Sequence, residues 1–217
     1  MDRSVIEWLL EGDPAIRWQV MRDLQGRPER EVERERAKVA TEGWVAALLA
    51  EQAPDGSWGG GLYSPKWTST FYTLLLLTAM GLPPGGAQAT AAADLLLRRG
   101  LCADGGLHYR GGLHKPANPG RIGELCVTGM GLRMLATYLP DPGQVEPALR
   151  CLLQTQLADG GWNCVRKSAH GSFNTTISAL EGLAAWSGAT GGGEEVAAAE
   201  ERGREFFLVH RMFRSHT

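Results

Sequence analysis

Nothing in the composition marks an excess of charge: of 217 residues, 22 are Lys or Arg and 24 are Asp or Glu, for a formal net charge of -2. That balance gives no global sign of a nucleic-acid partner. No apolar run approaches the roughly 20 residues that a helix needs to cross a bilayer. The opening MDRSVIEWLLEGD flanks a very short apolar run with acids and has no small-residue cleavage site. A cytoplasmic protein without signal peptide or transmembrane segment is therefore expected. The cysteines at 102, 126, 151 and 164 form no CxxC pair. In a reducing compartment this leaves core residues, metal ligands or reactive thiols. No two aspartates lie within four positions of each other. The length suits one domain with a substantial core.

What the chain does have is a repeated punctuation. QAPDGSWGG (52–60), LCADGGLHY (101–109) and QLADGGWNC (156–164) place Asp55, Asp104 and Asp159 at intervals of 49 and 55 residues. Such a period belongs to helical-hairpin arrays. Asp bonds its own backbone two residues on, and Gly accepts the left-handed backbone that ends a helix. Before the third turn, Val145, Ala148, Leu149, Leu152 and Leu153 follow helical spacing with one wet face. After each turn, the segments TSTFYTLLLLTAM, ELCVTGMGLRML and TTISALEGLAAW are apolar all round and predict helices buried on both sides. The expected fold is all-α, with outer and inner helices alternating in antiparallel hairpins.

Ahead of the array, Asp13 and Pro14 form an N-cap and N1 pair, and RPEREVERERAK (27–38) reads as a solvated helical face. GATGGGEE (188–195) is a flexible joint before a last helix running to about His210. The expected organisation is 1–43 as N-terminal helices packed on the array, 44–187 as three hairpin repeats, and 188–217 as linker and outer helix of a fourth, incomplete repeat. An open array needs a cap, so a second copy covering the edge, or a longer parent protein, is expected.

Gln52 to Trp58 and Gln156 to Trp162 both read Q-x-x-x-G-x-W, with Leu101 and Leu107 at those places in the middle copy. This resembles the QW motif of the terpenoid cyclase and protein prenyltransferase superfamily, to which the opening WLLEGDPAIRWQVMRDL is also similar. The resemblance implies an α/α-toroid-type architecture, here incomplete or open, in which Gln caps a helix end and Trp stacks on it. It also implies an isoprenoid or lipid-like ligand. The DxDD acid segment and the DDxxD magnesium cluster of the cyclising enzymes are both missing, so neither standard cyclisation is supported.

Prenyltransferases bind zinc through an Asp-x-Cys pair and a later His. The resemblance places Glu124 and Cys126 at the first site and Asn174 where the His belongs, with Cys164 and His170 in the preceding loop as substitute ligands. A Glu124, Cys126, Cys164 and His170 set is chemically acceptable for zinc. The competing reading makes Cys126 a small core residue and His170 a solvated loop residue. His108 and His114 are further ligand candidates.

The stretches 56–93, 105–123 and 160–180 contain no acid, yet hold Lys66, Arg110, His114, Lys115, Arg121, Arg166 and Lys167. These loops lead into inner-helix N-termini, where anions are favoured, so an anion such as a diphosphate is expected there. Tyr63, Trp67, Phe71, Tyr72, Tyr109 and Phe173 interleave with the cations and, with Asn174, are expected to line a pocket. Three readings follow: a metal-dependent prenyl transferase or related isoprenoid binder, a helical-repeat binding or scaffold module that makes no bond, and a fragment of a longer terpenoid cyclase-like enzyme.

Overall fold

The computed structural model describes residues 3–109, 112–113 and 120–214. The fold is all-α: among the described residues there are helices and isolated β-bridges but no strand. The chain divides into two compact units, residues 1–92 and 93–217. Their boundary falls within a helix.

The first unit opens with α1 (Arg3–Leu10), α2 (Pro14–Asp23), α3 (Glu29–Ala37) and α4 (Gly43–Ala50). Asp13 caps α2 by accepting the Ala15 N–H at 2.8 Å, and its second oxygen accepts the Trp44 N–H at 2.7 Å. One carboxylate thus fixes the starts of two helices. Trp18 is buried and its Nε1–H donates to the Met80 carbonyl at 2.9 Å. The charge run forms α3, which buries only Val32. After the first Asp-Gly turn comes α5 (Thr70–Ala79), which buries Phe71, Leu74 and Leu77 completely. Each such side chain contributes about 2 kcal/mol. Then α6 (Ala87–Gly100) carries the chain into the second unit.

The second unit holds α7 (Leu125–Tyr138), α8 (Glu146–Thr155), α9 (Phe173–Thr190) and α10 (Glu194–Val209). The inner helices α7 and α9 pack most intimately. A side chain at Gly129 would strike the backbone of Ser178 and Ala179, and one at Gly182 would strike that of Gly129. The two glycines let the helices touch backbone to backbone. As predicted, α8 shows one wet face, burying Ala148, Leu149, Cys151 and Leu152.

The three turns share one construction. Gly56, Gly105 and Gly160 have φ of +85°, +79° and +85°, a region that side-chain-bearing residues avoid. The aspartate two residues before the third residue of each turn accepts its N–H: Asp55 from Ser57 at 3.0 Å, Asp104 from Gly106 at 3.1 Å, Asp159 from Gly161 at 3.0 Å. A threonine in the first turn of the following inner helix then accepts the next N–H. Thr70 takes it from Trp58 at 3.1 Å, Thr128 from Leu107 at 2.9 Å and Thr176 from Trp162 at 3.0 Å.

Gln and Trp add tethers in the first and third turns only. Trp58 Nε1–H donates to Leu48 O and Trp162 Nε1–H to Leu152 O, both at 2.7 Å, satisfying carbonyls in the last turns of α4 and α8. The helix end is therefore met by the tryptophan, not by the glutamine as the resemblance implies. Gln52 Nε2 bridges Gly56 O and Gln88 O, while Gln156 Nε2 bridges Gly160 O and Ala199 O. Each glutamine thus ties its turn to the outer helix that follows.

Candidate functional site

The residues with most unexplained chemistry lie where the third turn's loop meets the first turns of α7 and α9. Glu124 is the N-cap of α7, but its side chain caps no N–H. The sulfur of Cys164 takes that place, accepting the Cys126 N–H at 3.2 Å. The Thr175 hydroxyl, from the first turn of α9, donates to the same sulfur at 3.5 Å. The Cys126 side chain is the neighbour that most shifts the titration of this sulfur. Cys164 therefore bridges two helix N-termini, where partial positive charge favours an anion.

The electrostatics follow this geometry. The hydrogen bond from Cys126 holds the Cys164 thiol below the usual range, at about 6, with help from Thr175 and the Cys126 N–H and against burial and Glu124. The same bond, then burial and the Cys164 and Glu124 charges, pushes Cys126 far up, so it keeps its proton. Cys102 and Cys151 are buried elsewhere in this unit. Burial pushes the Cys102 thiol up to about 11 and raises Cys151 too.

Cys164 lies against the backbone of Cys126, but the zinc set does not assemble. His170 is exposed, and its backbone is held by Asn163 and Ser168. Glu124 points an oxygen at the buried His108, 3.5 Å from Nε2. Among the described residues, no three His, Cys, Asp or Glu side chains form a group that could hold a metal ion. The donors implied by the resemblance therefore do not fit zinc, which requires four converging ligands. His114 lies outside the described residues.

The cationic rim also changes. Arg110 and Lys115 lie outside the described residues. Lys66, Arg121 and Lys167 are exposed. Arg166 is engaged within the protein: its guanidinium donates to Asp104 at 2.7 Å and to the Gly123 carbonyl at 2.9 Å. It is a strut between the second and third turns, the local acid-free sequence notwithstanding.

The expected pocket aromatics divide between the units. Phe71 and Tyr109 are core residues, 0% and 3% exposed. Phe173 packs against Phe206, Phe207 and His210 of α10 and the residue that follows it. Asn174 is exposed, and its backbone carbonyl accepts the Ser178 hydroxyl at 2.8 Å. In the first unit Tyr63, Trp67 and Tyr72 form a partly open aromatic shelf: Tyr72 lies 5.0 Å from Tyr63 and 5.2 Å from Trp67 between ring centroids. Trp67 is 74% exposed, and Lys66 Nζ stands 5.8 Å from the centre of its ring.

The residues that sequence reasoning passed over are the threonines. Thr70, Thr128 and Thr176 stand in the three inner-helix segments and mark the repeat as faithfully as the aspartates, a signal visible once those segments are aligned on their first turns. Neither protein-family models nor curated proteins give a match to this chain.

Proposed function

We propose that this chain is a helical-hairpin repeat protein, similar in its Q-x-x-x-G-x-W turns to the terpenoid cyclase and prenyltransferase superfamily, and that it binds an isoprenoid diphosphate or related anionic amphiphile without a metal. The observation that carries the reading is the shelf of Tyr63, Trp67 and Tyr72 with Lys66 beside it. Trp67 has φ of +71°, a conformation costly for a large side chain, and its ring is nevertheless held in solvent. Aromatic faces suit an isoprenyl tail, and the ammonium of Lys66 suits the headgroup. The scaffold alternative to a transferase is favoured here because Arg166, offered as a diphosphate ligand, is committed to Asp104, and because the zinc donors do not converge.

The test is native mass spectrometry of the full chain with isoprenyl diphosphates of increasing length. A complex weakened roughly tenfold by Trp67→Ala and by Lys66→Ala is expected. No complex with any length, or one indifferent to both substitutions, would overturn the reading. The same spectra report whether copies of the chain associate.

A further inference from the structure

We propose that Cys164 and Cys126 form a peroxide-reactive dithiol, in which Cys164 is the attacking sulfur and Cys126 the resolving one. The geometry assigns the two roles unequally. Cys164 receives two donors, the Cys126 N–H at 3.2 Å and the Thr175 hydroxyl at 3.5 Å. Such donors stabilise a thiolate, the form in which sulfur attacks. Cys126 accepts neither of these bonds, and its backbone supplies one of them. Both residues are partly exposed, whereas Cys102 and Cys151 are buried. Small oxidants therefore meet the pair before they meet the other thiols.

The chemistry balances with a hydroperoxide as the only co-reactant. The Cys164 thiolate attacks one peroxide oxygen, the O–O bond breaks, and hydroxide leaves, taking a proton to become water. Cys164 becomes a sulfenic acid. The Cys126 sulfur then attacks the Cys164 sulfur, the S–O bond breaks, and the departing hydroxyl takes the Cys126 proton. Two thiols and one peroxide give one disulfide and two waters. Because the Cys164 sulfur already lies 3.2 Å from the backbone nitrogen of Cys126, resolution needs no large movement. The disulfide turns the thiolate that caps α7 into a neutral, weaker acceptor and joins the loop covalently to α7, so oxidation alters the corner where the two inner helices meet.

The experiment treats the purified full chain with limiting hydrogen peroxide, alkylates the remaining thiols and cleaves before aspartate. Cleavage at Asp104, Asp141 and Asp159 places all four cysteines in separate peptides. The expected result is a Cys126–Cys164 cross-linked pair while Cys102 and Cys151 stay reduced. In Cys126→Ser a sulfenic acid persists at Cys164 and is trapped by dimedone. In Cys164→Ser, Cys126 reacts at least roughly tenfold more slowly. Circular dichroism checks that each variant is folded, and Thr175→Val, which retains the fold-forming bulk, should slow Cys164 oxidation without abolishing the cross-link. Oxidation of Cys102 or Cys151 as fast as Cys164, cross-linking to either of them, or Cys126 reacting first would overturn the proposal.

Discussion

The second and third turns are built to one plan and finished differently. Both use a left-handed glycine, an aspartate that accepts the turn's N–H, and an inner-helix threonine that accepts the next one. In both, the second carboxylate oxygen or its partner also accepts the N–H of a glycine just before or near the inner helix: Gly123 for Asp104, Gly171 for Asp159. Only the third adds Gln156 and Trp162. The second puts Leu101 and Leu107 in their places, joined by a β-bridge, and spends its aspartate on Arg166 as well. The difference teaches that Asp, Gly and Thr make the corner, whereas Gln and Trp fasten it to neighbouring outer helices. Their cysteines diverge in the same way: Cys102, in the second turn, is buried and held protonated, while Cys164, past the third, is stabilised as an anion.

Trp162→Ala should produce the largest loss. It empties a fully buried site and leaves the Leu152 carbonyl only the longer bond from the Thr155 hydroxyl, at a cost of about 4 kcal/mol, read from the urea midpoint. Leu107→Ala, at the matching and equally buried place, should cost less, about 3 kcal/mol, because no tether is lost with it. An equal or reversed order would break the comparison.

Gly105→Ala and Gly160→Ala should cost about 2 kcal/mol or more apiece, for each forces a methyl at positive φ against a backbone carbonyl, of Pro147 and Arg202 respectively. Similar losses in thermal melting would sharpen the claim of a shared plan; a tolerant Gly105 would show that the middle turn had abandoned it. Gln156→Ala removes two hydrogen bonds to backbone and should cost about 1–2 kcal/mol. Arg166→Met, in the strut of the second turn, should cost about 1 kcal/mol, since the pair with Asp104 is partly solvated.

Much of this fold was legible in the sequence because helix period and turn chemistry are local. Asp-Gly spacing marked the corners, the Asp13–Pro14 cap marked α2, and the one-faced pattern of residues 144–156 marked α8. What was not legible depended on distant partners. Arg166 lies in an acid-free stretch, yet its carboxylate is 62 residues away in sequence. Phe71 and Tyr109 sit among loop cations in the sequence but are buried in the structure, because an aromatic's neighbours along the chain do not determine its depth. Cys164 could be suspected from its loop, but its donors come from α7 and α9, which meet there only because Gly129 and Gly182 let those helices touch. Among the described residues the zinc donors implied by the resemblance form no metal-holding group, and His170, near Cys164 in sequence, is exposed.

The contrast between the cysteines is sharpened by pH. Cys164 gains thiolate as pH rises through about 6, so its alkylation rate should rise there and level off by about pH 8; Cys102, pushed up to about 11, should still be accelerating at that point. A Cys164 rate that climbed without levelling through pH 9 would contradict the assignment of donors to its sulfur.

The central claim, that the third corner carries a chemically distinct sulfur on a common structural frame, is tested most directly by competitive alkylation. The folded chain is treated at pH 7 with less than one equivalent of iodoacetamide and cleaved before aspartate, and label is counted on each cysteine. The account predicts that Cys164 takes at least roughly tenfold more label than Cys102 or Cys151. Label spread evenly over the four, or collected first on Cys126, would contradict it.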